Sequence, residues 1–99
     1  MLRVIAIALL SIGLMGATTV QYPACTRSPE YFASFVRAIV ANDEFVVEFY
    51  VQTGCGSMKP DMPATVLERG PYWIKIKVEP EGHDPVILYT SPEAIIEEE

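Results

Sequence analysis

A chain of 99 residues has room for a single domain. Thirteen acidic residues against seven basic ones leave a net charge of −6, the wrong sign for a nucleic-acid surface, which is built on clustered Lys and Arg. Two cysteines and one histidine fall short of the four ligands that a structural zinc site takes, so no metal and no cofactor is expected.

Residues 1–19 read as a processing signal. Arg3 supplies a positive start, Val4 to Met15 is an apolar core, and the small residues GATT follow, so cleavage is expected after Ala17 or Thr19. The mature domain is then 20–99. Six basic residues face thirteen acidic ones in it, for a charge of −7. A membrane-spanning helix needs roughly 20 apolar residues. Uncharged sequence runs on to Thr26, so an uncleaved anchor is the alternative, and it is the only route to a membrane that this reading contains. Export places the chain in the secretory pathway, in an endoplasmic reticulum lumen, or outside the cell or in a periplasm. In such oxidising surroundings Cys25 and Cys55 can pair.

Ser28-Pro29-Glu30 opens a helix with a capping hydroxyl, a proline at the first helical position and an acid near the positive end. Tyr31, Phe32, Phe35, Val36, Ile39 and Val40 form its wide apolar face, and Asn42-Asp43 ends it. Phe45 to Val51 is short, β-branched and aromatic, which predicts a strand buried on both faces with Glu48 inside it. Gln52-Thr53-Gly54 is a turn.

A helix is expected after Cys55, through Met58, Met62, Val66 and Leu67. Pro60 and Pro63 weaken it, since an interior proline costs about 3 kcal/mol. Arg69-Gly70-Pro71 stops it. From Tyr72 to Glu79 the residues alternate, Ile74, Ile76 and Val78 facing one way and Trp73, Lys75 and Lys77 the other: a half-buried strand. Pro80 to Pro85 is a loop that carries a solvated His83, and Val86 to Tyr89 is a further strand. Ser91-Pro92-Glu93 either caps a last short helix or leads into a strand AIIE. The order helix, strand, helix, strand, strand predicts an α/β fold with a parallel pair.

A cysteine entering a helix meets unpaired N–H groups and the positive end of the helix dipole, and both favour the thiolate. With Gly54 and Gly56 leaving the sulfur open and Lys59 nearby, Cys55 is a candidate nucleophile. The plainer reading makes Cys55 half of a structural disulfide with Cys25, and composition by itself favours that.

The stretch VVEFYVQTGCGSMKPDMP resembles the active-site segment of the thioredoxin superfamily, and its protein disulfide isomerase branch most closely. Val46 to Tyr50 match the strand that precedes the motif. Cys55, Gly56 and Lys59 match Cys-Gly-X-Cys-Lys, and Pro63 matches the kinking proline. SPEYFASFVRAIVANDEF looks like the family's first helix and Lys77-Val78-Glu79 like part of its next strand. The resemblance implies a thioredoxin-like three-layer sandwich, abbreviated at its C-terminus. It implies a catalytic Cys55, with Glu48 as the proton relay and Lys77 as its partner. Pro92 would be the substrate-binding cis-proline, although Ser91-Pro92 reads slightly better as an ordinary helix start.

Client thiols or disulfides, and glutathione, would be the partners. The motif departs from the family, because Met58 stands where the resolving cysteine belongs in Cys55-Gly56-Ser57-Met58-Lys59. Exchange would then be limited to a single reactive cysteine or to covalent client retention. Two alternatives stay open: a redox-inactive binding module of the same fold, and a small α+β domain with one helix on an antiparallel sheet, stapled by Cys25–Cys55.

Overall fold

The computed structural model describes residues 17–97. The expected signal up to residue 16 lies outside the described residues. Seven strands make one sheet: β1 (Ala17–Thr19), β2 (Pro23–Cys25), β3 (Cys55–Ser57), β4 (Pro63–Arg69), β5 (Ile74–Val78), β6 (Val86–Thr90) and β7 (Ile95–Glu97). Their spatial order is β3-β2-β6-β5-β4-β1-β7, and every pairing is antiparallel. Helices α1 (Pro29–Val40) and α2 (Glu44–Gln52) are inserted between β2 and β3. The fold is therefore α+β, with two helices on an antiparallel sheet. The parallel pair expected from the element order is not formed among the described strands. No helix among the described residues is long and apolar enough to cross a membrane.

Helix α1 begins as its sequence predicts. Ser28 is extended (φ −166°), and its hydroxyl accepts the Tyr31 N–H at 3.0 Å, with Pro29 in the first turn. Phe32, Phe35 and Ala38 are its buried face, and it packs on β2 and β6.

The segment expected to be a buried central strand is instead α2, and none of its residues is buried. Two local features decide this. Asn42 adopts a left-handed φ of 61°, which asparagine tolerates, and turns the chain out of α1. Asp43 then accepts the Val46 N–H at 3.3 Å as an N-cap, and Glu44 follows in the first turn. The β-branched run is a weak preference against a capped start and a face that can dock, since Val47 and Tyr50 pack against the cluster of Cys25, Phe32, Phe35 and Cys55.

The expected helix after Cys55 is also replaced. Pro63 opens strand β4, which pairs with β5 through a bulge at Leu67. Proline is tolerated at the first residue of a strand, where it withholds no needed donor. Strand β5 follows its alternation, with Ile74, Ile76 and Val78 all but inaccessible to water. They pack with Met58, Ala24, Ala64 and Ala94 on one side of the sheet. Cys25, Cys55, Phe32 and Phe35, joined by Trp73 and Tyr89, make a separate cluster on the helix side.

Strand β1 ties the far edge together. Thr19 is 1% exposed. Its hydroxyl donates to the Lys59 carbonyl at 2.7 Å and accepts the Met62 N–H at 3.0 Å. Residues 17–19, which lie at the end of the expected signal, pair with β4 and β7 inside the sheet.

Candidate functional site

Cys25 closes β2 and Cys55 opens β3, and the two are direct cross-strand partners. The Thr26 N–H donates to the Gly54 carbonyl at 2.9 Å, one step beyond. Register alternation makes the cysteines a non-hydrogen-bonded pair, the kind in which side chains approach most closely. Their Cα atoms are 4.0 Å apart and the sulfurs are bonded; no free cysteine remains among the described residues. Cys25 is fully buried and Cys55 nearly so, against Phe32 and Phe35.

Gly54 makes the corner from α2 into β3 (φ 121°), and an added Cβ would sit 2.9 Å from the Thr26 hydroxyl oxygen. This placement corrects the expectation of a helix behind the sulfur. Cys55 follows the C-terminal end of α2, where the dipole is negative and disfavours a thiolate.

The other expected site residues are dispersed. Glu48 is exposed on α2, and its carboxylate accepts from the Gln52 side chain at 3.3 Å. Lys77 lies in mid-β5, half-buried, between Thr65 of β4 and Ile87 of β6. Neither a hydrogen bond nor an ion pair joins Glu48 to Lys77; the ion pair found among the described residues is Arg69–Glu97, at 2.9 Å. A buried acid–lysine relay needs Glu48 inside the sheet, and its helical position removes that.

Gly56 faces open space, Ser57 is exposed, and Met58 turns to the opposite cluster, where it is 5% exposed. Lys59 is exposed. Pro92 opens a 3₁₀ turn, Pro92–Ala94, capped by Ser91. No cis peptide occurs among the described residues, so Pro92 takes the ordinary helix-start reading.

Two surfaces flank the bridge. On one side a groove of about 530 Å³ runs beside β3, floored by Met58, Met62, Val78, Val86 and Leu88, with Lys59 and His83 among its lining. That volume falls within the usual range for ligand pockets. On the other side stands α2, with Phe45 86% exposed and Phe49 53% exposed. Sequence reasoning missed this second surface. The signal for it was Asp43-Glu44 as a helix start, with Phe45 and Phe49 four apart.

No family model, no curated protein and no solved structure matches the chain. The resemblance to the thioredoxin superfamily therefore rests on its residues alone. With both sulfurs in the bridge, neither Cys25 nor Cys55 is a free thiol. What the site offers is apolar surface and β3, which ends the sheet among the described strands.

Proposed function

We propose that this chain is an exported, disulfide-stapled α+β binding domain that takes up an extended apolar segment of a partner protein beside β3. One observation carries the reading: Cys55 is bonded to the residue directly across the ladder and buried, in the place where a reactive thiol was expected. The bridge then holds the outermost strand in place. Ala24 and Gly56 are the hydrogen-bonded pair of the β2–β3 ladder, so the N–H and C=O of Ser57 point away from β2. β3 ends the sheet among the described strands. A peptide added there gains main-chain hydrogen bonds, and its alternate side chains enter the groove over Met58 and Leu88.

The thioredoxin-like reading, with exchange at Cys55 toward client thiols or glutathione, keeps the motif resemblance as its support. A helix C-terminus behind the sulfur and the lack of a paired Glu48 weigh against it. Two measurements separate the readings. Thiol titration and non-reducing peptide mapping of the purified native protein should find one quantitative Cys25–Cys55 bridge and no accessible thiol, and the protein should not accelerate reduction of insulin by glutathione. Acceleration that disappears in Cys55→Ser would favour exchange. For the binding reading, titration with an alternating Val–Thr peptide should move the amide resonances of Ser57, Met58 and Leu88. A spectrum unchanged at saturating peptide would count against the groove.

A further inference from the structure

One wall of the groove beside β3 is held in place by β1. Residues 59–62 belong to the connection from β3 to β4, and Met58, Lys59 and Met62 line the groove on that side. Val78, Val86 and Leu88 of β5 and β6 line it opposite. The connection has little to hold it from within. Pro60 has no N–H to donate, and Asp61 takes a left-handed φ of 64°, a conformation that costs energy unless the surroundings impose it.

Thr19 imposes it. Its N–H donates to the Met62 carbonyl at 3.0 Å, and its carbonyl accepts the Asp61 N–H at 2.8 Å. Its hydroxyl adds the bonds to the Lys59 carbonyl, at 2.7 Å, and from the Met62 N–H, at 3.0 Å. Four hydrogen bonds thus join this one residue to Lys59, Asp61 and Met62. Thr19 is buried, so a partner lost here leaves a polar group without water to replace it, which is the costly case. Tyr22, three residues on, fixes the start of the same wall, its carbonyl accepting the Met58 N–H at 2.8 Å.

We infer that Thr19 is the positioning residue of the groove: it holds Lys59 and Met62 as a ready-made wall for an extended apolar segment. The inference rests on the reading of that groove as a peptide site. Thr19 is not in the lining, so it acts through the connection and not on the occupant. The N–H and C=O of Met62 both end on Thr19, so the half-buried Met62 side chain stands where Thr19 sets it. A wall that must be ordered at the moment of binding loses part of the contact energy to that ordering, and a wall already held does not. The coupling runs both ways. If the intact clamp favours the bound peptide, the bound peptide favours the clamp by the same factor. Peptide binding is thereby a property of chains that keep Thr19.

Titration with the alternating Val–Thr peptide, on purified protein that keeps residues 17–19, tests this. Thr19→Val retains the shape and deletes the hydroxyl, and it should weaken binding about tenfold. Thr19→Ser retains the hydroxyl and should recover most of that loss. Gly70→Ala controls for stability alone, because Gly70 lies between β4 and β5 and outside the groove lining. It should lower the urea midpoint and leave the peptide affinity unchanged. In the wild type, bound peptide should slow amide exchange at Asp61 and Met62 more than at Ile76, a readout that needs no variant to fold. Thr19→Val binding as tightly as the wild type overturns the inference. So does Thr19→Ser binding no better than Thr19→Val, Gly70→Ala weakening binding as much, or exchange at Asp61 and Met62 that ignores the peptide. A wild type that does not bind overturns the groove reading and this inference with it, whereas a binding wild type beside an unaffected Thr19→Val overturns this inference alone.

Discussion

Cys25 and Cys55 face each other across the β2–β3 ladder, and the chain between them contains both helices. The bridge therefore closes the whole helical layer against the sheet edge, with a sequence separation of 30. Closing a loop of that size removes about 3–4 kcal/mol of unfolded-state chain entropy. Replacing both cysteines with alanine is expected to lower stability by that amount. Urea unfolding monitored by circular dichroism, for wild type and the double variant, measures it. A loss below about 1 kcal/mol would mean that the helices are held by packing alone.

Gly70 and Trp73 impose a second constraint. The Gly70 N–H donates to the Trp73 carbonyl at 2.8 Å in the loop that joins β4 to β5. A Cβ on Gly70 would overlap the indole ring, which stands edge-on to Tyr89 at 5.9 Å. Gly70→Ala must push the ring off its partner, and overpacking of this kind costs about 1–3 kcal/mol. Trp73 is the only tryptophan, so its emission should shift to the red as the urea midpoint falls.

Glu93 gives a pH dependence. Its carboxyl is held below the ordinary carboxylate range, first by the Ser91 hydroxyl, which donates at 2.7 Å, and then by the Tyr22 hydroxyl at 3.1 Å. A carboxyl whose folded pKa is depressed stabilises the fold above its unfolded pKa and loses that effect as pH falls through the folded value. The turn at 91–94 should therefore loosen only below the normal titration range of glutamate. In Ser91→Ala the carboxyl should titrate upward, toward the ordinary value. Carbon-detected NMR of the Glu93 side chain reads both.

Much of the frame was legible. Ser28-Pro29-Glu30 specified α1 because a cap, a fixed φ and an acid all favour one start. The alternation of β5 specified which side of Ile76 is dry, and the two cysteines marked the staple. The errors share a cause. Phe45 to Val51 has strand-like residues, yet what decides its conformation is Asp43 capping the first turn and Val47 and Tyr50 docking on the Cys25–Phe32–Phe35–Cys55 cluster. Contact with a distant segment outweighs local preference here. In the same way Pro63 reads as damage to a helix until Val78 and Ala64 are seen to be ladder partners. The candidate site moved with both errors: a helical α2 leaves Glu48 facing water, and β3 and β4 stand where the helix behind Cys55 was expected.

Thr19 gives the expected processing step a structural consequence. Strand β1 is the sole link between β4 and β7 in the sheet order, pairing Ala17 with Glu97, Thr18 with Ile96 and Thr19 with Ile95. A signal protease cutting after Ala17 would remove one rung. Cutting after Thr19 would remove all three and release the loop at Lys59 and Met62. The choice between two scissile bonds two residues apart would thus decide whether the exported product keeps a sealed far edge or leaves Ile95 and Ile96 as a sticky end for other chains.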